Sequence, residues 1–175
     1  CAFDGAAWER FYNGRVLSCD GPVPPGTSGR LEGAFPYTFD LARARRLLAE
    51  AGYPEGIDAK TGRRLELTLD LGRTSQDMRE TTELIVSFWA RAGISLKPRF
   101  HNWPTFLRRV ANRQSQLFRL GWTADYPDAE NFMKLFYSKN VSPGPNRANY
   151  VNAAFDALYE QACATPDAAE RKLSW

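Results

Sequence analysis

The sequence predicts an α/β fold, a small mixed sheet flanked by helices, on three observations. Residues 65 to 71 read Leu-Glu-Leu-Thr-Leu-Asp-Leu, an alternation that lines up four leucines on one face of a half-buried strand. Several other stretches carry apolar residues at helical spacing, three of them opened by the capping residues Asp4, Asp40 and Asn152. Along the chain these helical stretches alternate with strands, an order that defines α/β and also accommodates α+β.

The elements follow in order. Asp4 caps a short helix with Trp8, Phe11 and Tyr12 at helical spacing, ended by Asn13-Gly14. Residues 21–37 contain Pro22, Pro24, Pro25 and Pro36 with several glycines, which reads as an extended surface segment, either a long loop or a crossover between two parts of a larger fold. Asp40 caps a second helix whose stripe is Leu41, Ala44, Leu47, Leu48 and Ala51, stopped at Gly52-Tyr53-Pro54. After the turn-rich residues 55–64 comes the strand at 65–71. Ser75 opens a long helix carrying Met78, Leu84, Ile85, Phe88 and Trp89 and closed by Ala92-Gly93.

Ile94, Leu96 and Phe100 then alternate with polar residues, and Pro98 confines this second strand to an edge or a bulge. Pro104 suits the first turn of a helix with Phe106, Leu107 and Val110 on its inner side. Gln116 to Leu120 is the third strand, and helical pattern returns at Asp128 to Tyr137. A loop follows, Asn152 caps a helix with Phe155, Leu158 and Tyr159, and Thr165-Pro166-Asp167 begins a last one running to Trp175.

Composition bounds the function classes. The 175 residues carry 23 Lys and Arg against 20 Asp and Glu, interleaved to a net charge of +3, so the basic stripe of a nucleic-acid binder is absent. The densest basic cluster of the first half, Arg43, Arg45 and Arg46, reads as a solvated helix face. No apolar run approaches the length of a membrane span, and the first residues lack the charged-then-apolar order of a secretory leader. Cys1, Cys19 and Cys163 are widely spaced and His101 is the sole histidine, which disfavours a zinc site or a Cys-His pair; no metal or cofactor is expected. The cysteines read as buried or half-buried free thiols, with a Cys1–Cys19 disulfide left open. Dinucleotide, phosphate-loop and nucleophile-elbow motifs are missing.

The chemistry concentrates in residues 119–133, RLGWTADYPDAENFM. Asp125, Asp128 and Glu130 could serve as a carboxylate pair for acid and base work, but Asp128 and Glu130 stand where a helix begins and the helix dipole accounts for acids there. Asp125 follows Trp122 just beyond a strand end, where α/β proteins place ligands. A carboxylate beside an indole suits a cation. Arg119 lies three residues before Trp122, so alternation places them on opposite faces unless Gly121 breaks the pattern. If it does, the site has a cationic and an anionic end and matches a zwitterion. A surface salt bridge with a core Trp is the structural alternative.

These residues support a resemblance. GWTADYPDAENF (121–132), ARAGISLKPRFHNWPTFLRRV (90–110), FDLARARRLLAEAGYPEG (39–56), AFDGAAWERFYNGRVLSCDGPVPPG (2–26) and YVNAAFDALYEQACATPDAAERKL (150–173) together resemble the peptide- and nickel-type (family 5) extracellular solute-binding proteins of ABC importers. The resemblance implies a periplasmic-binding-protein-like lobe. It implies that residues 1–38 are the segment leaving a first lobe and the crossover, and that 39–175 are the second, ligand-gripping lobe. The first lobe would lie outside this sequence, with Cys1 the start of a fragment.

Further expectations come with the resemblance: Asp125 holds a ligand's α-amino group, Trp122 lines the pocket, Arg119 takes a ligand carboxylate, and the backbone at Thr123 and Ala124 runs beside an extended ligand. Met78 falls near another ligand-facing position, with helix core as the stronger reading. Residues 57–64 depart from the family pattern like an insertion. The implied protein is a non-catalytic monomer, periplasmic or lipid-anchored outside the cell. It would bind a short peptide or similar amine-bearing solute and hand it to an ABC permease, without nucleic acid. The alternatives are the sensing lobe of a transcriptional regulator and, below it, a carboxylate-dependent hydrolase using Asp125 with Asp128 or Glu130.

Overall fold

The computed structural model describes residues 2–17, 19, 21–30, 33, 38–167 and 170–171. The chain divides into two compact units made of interleaved stretches: residues 1–18, 37–109 and 113–120 form the first, and residues 19–36, 110–112 and 121–175 the second.

The first unit is built on a three-stranded sheet in the order β2-β1-β3, with β1 Glu66–Leu71, β2 Ser95–Phe100 and β3 Leu117–Arg119. Both pairings are parallel, so the sheet is not mixed as the sequence suggested. The reason lies in the connections. Helix α3, Gln76–Ala92, joins β1 to β2, and helix α4, Trp103–Ala111, stands between β2 and β3; each crossover carries the chain back to the end of the sheet at which the previous strand began, which parallel pairing requires. Pro98 sits on edge strand β2 opposite Leu69, as its missing N–H demands. The third strand begins one residue later than expected, because the side-chain carbonyl of Gln116 accepts the Thr68 N–H at 2.8 Å in place of a main-chain group.

Alternation in β1 sends Leu67, Leu69 and Leu71 to one face. There, with Leu96, they form a cluster closed by Met78, Ile85, Val86 and Trp89 of α3, by Phe100 and by Leu117. Met78 thus takes the helix-core role expected for it. Just past β1, Gly72 leaves room for Phe106 and Trp103 of α4, since a Cβ there would meet Phe106 at 2.6 Å. Asn102 caps α4, its Oδ1 accepting the Thr105 N–H.

Helix α1, Gly5–Phe11, and helix α2, Leu41–Glu50, start at Asp4 and Asp40, each accepting a backbone N–H three residues on. Phe3 contacts both Trp8 of α1 and Phe88 of α3 at 5.4 Å between ring centroids. Of the arginine cluster in α2, Arg45 is not merely solvated: its guanidinium bonds the Arg91 carbonyl near the end of α3 at 2.8 and 3.1 Å, capping that helix. Ser75 occupies the N-cap position of α3 without a side-chain cap bond. Residues 57–64 form a tight loop in which the Asp58 carboxylate accepts the N–H groups of Lys60 and Thr61. Those bonds hold its pKa below the usual carboxylate range, the bond from Thr61 foremost.

In the second unit Val23, Ala129 and Met133 form a buried cluster with Phe155 and Tyr159 against it. Ser28 bridges to Asp128. Only Glu130–Met133 is α-helix (α5), where the sequence pattern suggested Asp128 to Tyr137. Asp128 is held by its bridge and accepts the Glu130 N–H, and beyond Met133 the N–H groups of Leu135 and Phe136 bond three residues back, which tightens the chain out of the α-helix. Helix α6, Ala153–Ala164, is capped by Asn152 as expected.

Of the last predicted helix, Asp167 accepts the Glu170 N–H, while residues 168–169 and 172–175, and its end at Trp175, lie outside the described residues. The crossover expectation for 21–37 falls in part on residues 31–32 and 34–37, also outside them. Cys1 is outside as well. Cys19 and Cys163 are free thiols, as read from the sequence, but both are exposed instead of buried. Among the described residues no helix is long and apolar enough to cross a membrane.

Candidate functional site

The loop leaving β3 builds the site. In the second unit Trp122, Thr123 and Ala124 line an open cavity of about 560 Å³, completed by Phe132, Leu135 and Phe136 and by residues of the 19–27 segment, Cys19 among them. Three of the five residues singled out from the sequence are thereby brought to one surface. Proline-rich chain on one side and aromatic side chains on the other give it an apolar character suited to a solute's side chain or ring.

The fourth, Asp125, stands beside this wall with its side chain 69% exposed. The residue that connects it to Trp122 is one the sequence reading missed. Asn131 of α5 is fully buried; its Oδ1 accepts the indole Nε1–H of Trp122 at 2.7 Å and its Nδ2 donates to Asp125 Oδ2 at 3.4 Å. One buried amide therefore orients both the indole and the carboxylate. Asn131→Ala is expected to lower the unfolding free energy by about 1–3 kcal/mol, because the fully buried Asn131 amide and its bonds to Trp122 and Asp125 are lost; urea denaturation at neutral pH measures it. The signal in the sequence was the spacing itself, since α5 brings residue 131 back under residue 122.

Lys134 is the second residue not foreseen. Its Nζ lies 3.7 Å from Asp125 Oδ2, 5.3 Å from the centre of the Trp122 ring and 5.4 Å from that of Tyr126. The carboxylate-and-indole arrangement expected to suit a cation already has a lysine against it.

The fifth candidate, Arg119, belongs to the first unit. β3 ends at this residue, so strand alternation does not extend to Trp122. Its guanidinium donates to Thr81 Oγ1 at 3.0 Å, reaches Met78 Sδ at 3.4 Å and lies over the Trp8 ring at 5.2 Å.

Asp128 and Glu130 are occupied with structure. Asp128 pairs with Arg171 at 3.1 Å. Glu130 accepts from the Tyr159 hydroxyl at 2.6 Å with one oxygen and from the Tyr126 hydroxyl with the other. The bond to Glu130 pushes the Tyr126 pKa up to about 12, and burial together with Glu130 raises that of Tyr159. Both carboxylates are engaged by these bonds. Among the described residues no group of three or more His, Cys, Asp or Glu could hold a metal ion.

An apolar cavity with aromatic walls on the loop after a strand is suited to binding a small solute. The family described as bacterial extracellular solute-binding proteins, family 5 (middle), matches residues 6–144, and the chain belongs to it. It is 29% identical to Heme-binding protein A of Haemophilus influenzae over 164 residues, covering 93% of this chain and 29% of that protein. It is 28% identical to the Dipeptide-binding protein of Escherichia coli over 158 residues, covering 89% and 29%.

Among solved structures, the fold matches the ABC transporter-associated periplasmic binding protein DppA of Helicobacter pylori in complex with the peptide STSA, with TM-score 0.84 and 26% identity over 99% of this chain and 33% of that one. The dipeptide binding protein of Pseudoalteromonas in complex with Met-Leu matches with TM-score 0.85, 27% identity, and coverage of 99% and 34%. The chain thus spans about a third of the length of these relatives. The expected periplasmic-binding-protein-like architecture is borne out.

Proposed function

We propose that this chain is the second, ligand-gripping lobe of the substrate-binding component of an ABC importer, periplasmic or lipid-anchored, that takes up short peptides or a similar amine-bearing solute and delivers it to a membrane permease. In this reading residues 1–38 leave the first lobe and 39–175 form the second. The observation that carries it is the cavity walled by Trp122, Thr123 and Ala124 with the exposed Asp125 carboxylate beside it. Relatives named for dipeptide and di/tripeptide binding support the substrate class.

Trp122 and the aromatic wall take up apolar parts of the solute, the backbone at Thr123 and Ala124 runs along it, and Asp125 holds its ammonium group. Arg119 is the proposed partner for a ligand carboxylate, a role that requires it to exchange its bond with Thr81. A charge-assisted bond to Asp125 supplies about 1.5–3 kcal/mol. Micromolar affinity needs about 8 kcal/mol, so most of it comes from a first lobe closing over the ligand.

The experiment is calorimetric titration of the complete receptor chain with di- to pentapeptides. Micromolar or tighter binding is expected. Absence of binding to every peptide by folded protein sinks the peptide assignment and turns attention to solutes of the kind named for other relatives, heme and deoxycholate.

A further inference from the structure

We propose that Lys134 is a specificity-determining residue of this site, making its amine-binding end bipolar so that it favours a ligand carrying an anionic group next to its ammonium and rejects one carrying a second cation there. The proposal rests on the ligand site proposed above and deepens it.

The geometry divides the work of the Asp125 carboxylate between its two oxygens. Oδ2 faces the protein, where it receives Asn131 Nδ2 at 3.4 Å and pairs with Lys134 Nζ at 3.7 Å. Oδ1 has no protein partner among the described residues, so it is the oxygen open to a ligand. An ammonium bound there arrives within a few ångströms of the Lys134 charge, and at that separation the repulsion is comparable with the attraction that brought it in. A ligand with only an amine at this end therefore binds less well than the carboxylate alone would allow. A carboxylate on the ligand close to its amine reverses the sign, because it meets Lys134.

The Lys134 ammonium is placed at this site by the Trp122 and Tyr126 rings and by Asp125. It follows Met133 at the end of α5, where its N–H bonds the Glu130 carbonyl at 3.0 Å and its own carbonyl accepts the Asn140 side-chain amide at 3.0 Å. Its side chain is 20% exposed, with the ammonium against the Trp122 and Tyr126 faces. At 3.7 Å the contact with Asp125 is an ion pair without a hydrogen bond, and no other hydrogen bond holds the ammonium among the described residues, so its donors are available to an incoming acceptor. The ligand class that fits is a zwitterion with closely spaced charges at this end, such as a peptide with an acidic first residue.

The test is calorimetry on the complete receptor chain, wild type, Lys134→Met and Lys134→Arg, with the dipeptides Glu-Ala, Ala-Ala and Lys-Ala. Met preserves the length of the stem, and melting curves confirm that each variant is folded. Wild type is expected to bind Glu-Ala at least tenfold more tightly than Lys-Ala. Lys134→Met should cut that ratio to within threefold while improving Lys-Ala, and Lys134→Arg should retain it. An unchanged ratio in Lys134→Met, with peptides still bound, overturns the role of Lys134 and leaves the peptide reading standing. Failure of all three peptides to bind wild type and both folded variants overturns the peptide reading and this proposal together.

Discussion

Asp70→Ala is expected to lower the stability of the protein by about 3–5 kcal/mol, the cost of leaving a buried charge without its counterpart. Asp70 is 1% exposed in the middle strand of the sheet. Its Oδ1 lies 2.7 Å from His101 Nε2 and its Oδ2 3.3 Å from Arg109 Nη2, so the carboxylate ties the end of β2 and helix α4 to β1. Removal leaves the Arg109 guanidinium, its side chain only 25% exposed, without its counter-charge and with the Gln114 carbonyl as its acceptor. Asp70→Asn keeps the shape and one acceptor and should cost less.

The same group predicts a pH dependence. Burial alone would raise the Asp70 pKa, but the bonds from His101 and Arg109 and the Arg109 charge outweigh it and hold the pKa below the usual value. A lowered folded-state pKa contributes stability that is fully present above the unfolded value, about 4, and disappears as pH falls through the lower folded value. Urea melts between about pH 2 and pH 7 should show this acid limb in wild type and a shallower one in Asp70→Asn.

Gly56→Ala is the second large effect. Gly56 has φ +74°, and a Cβ there would fall 1.9 Å from the Gly93 carbonyl oxygen. The two glycines let the turn before the 57–64 loop lie directly on the end of α3, and Gly56 also accepts the Leu65 N–H at 2.8 Å just before β1 starts. The substitution meets both the left-handed penalty of about 1–2 kcal/mol and a crowding cost of about 1–3 kcal/mol. Gly62, with φ +68° and nothing within 4 Å of its would-be Cβ, is the control: Gly62→Ala should carry the backbone part alone. Paired denaturation curves separate the two.

Local periodicity made most elements legible. The leucine alternation of 65–71 and the stripe of 76–92 each bury one face, and such faces write themselves into sequence at periods of 2 and 3.6. Caps at Asp4, Asp40 and Asn152 were equally legible because the capping bond spans at most three residues. What escaped was set by contacts between distant residues. The 128–137 pattern lost its start because Ser28, a hundred residues earlier, fixes Asp128. Asp70 reads as the polar side of a half-buried strand, and only its meeting with residues 31 and 39 positions away buries it.

At the site, the loop after β3 announced itself through an acid and an indole at a strand end. The cavity at Trp122, Thr123 and Ala124 lies on that loop. Asn131 and Lys134 did not announce themselves, since each looks like an ordinary helix residue until α5 turns it toward Asp125. Arg119 stood out by its charge, and the structure shows that charge engaged with Thr81 and Trp8.

The central claim, that Asp125 anchors the amine of a bound peptide, is tested most directly by titrating the complete receptor chain, wild type and Asp125→Asn, with a peptide and its N-acetylated form. The account predicts that Asn weakens binding of the free-amine peptide by tenfold or more, that acetylation does the same to wild type, and that the two losses do not add. Equal affinity of wild type and Asp125→Asn for the free-amine peptide would contradict it.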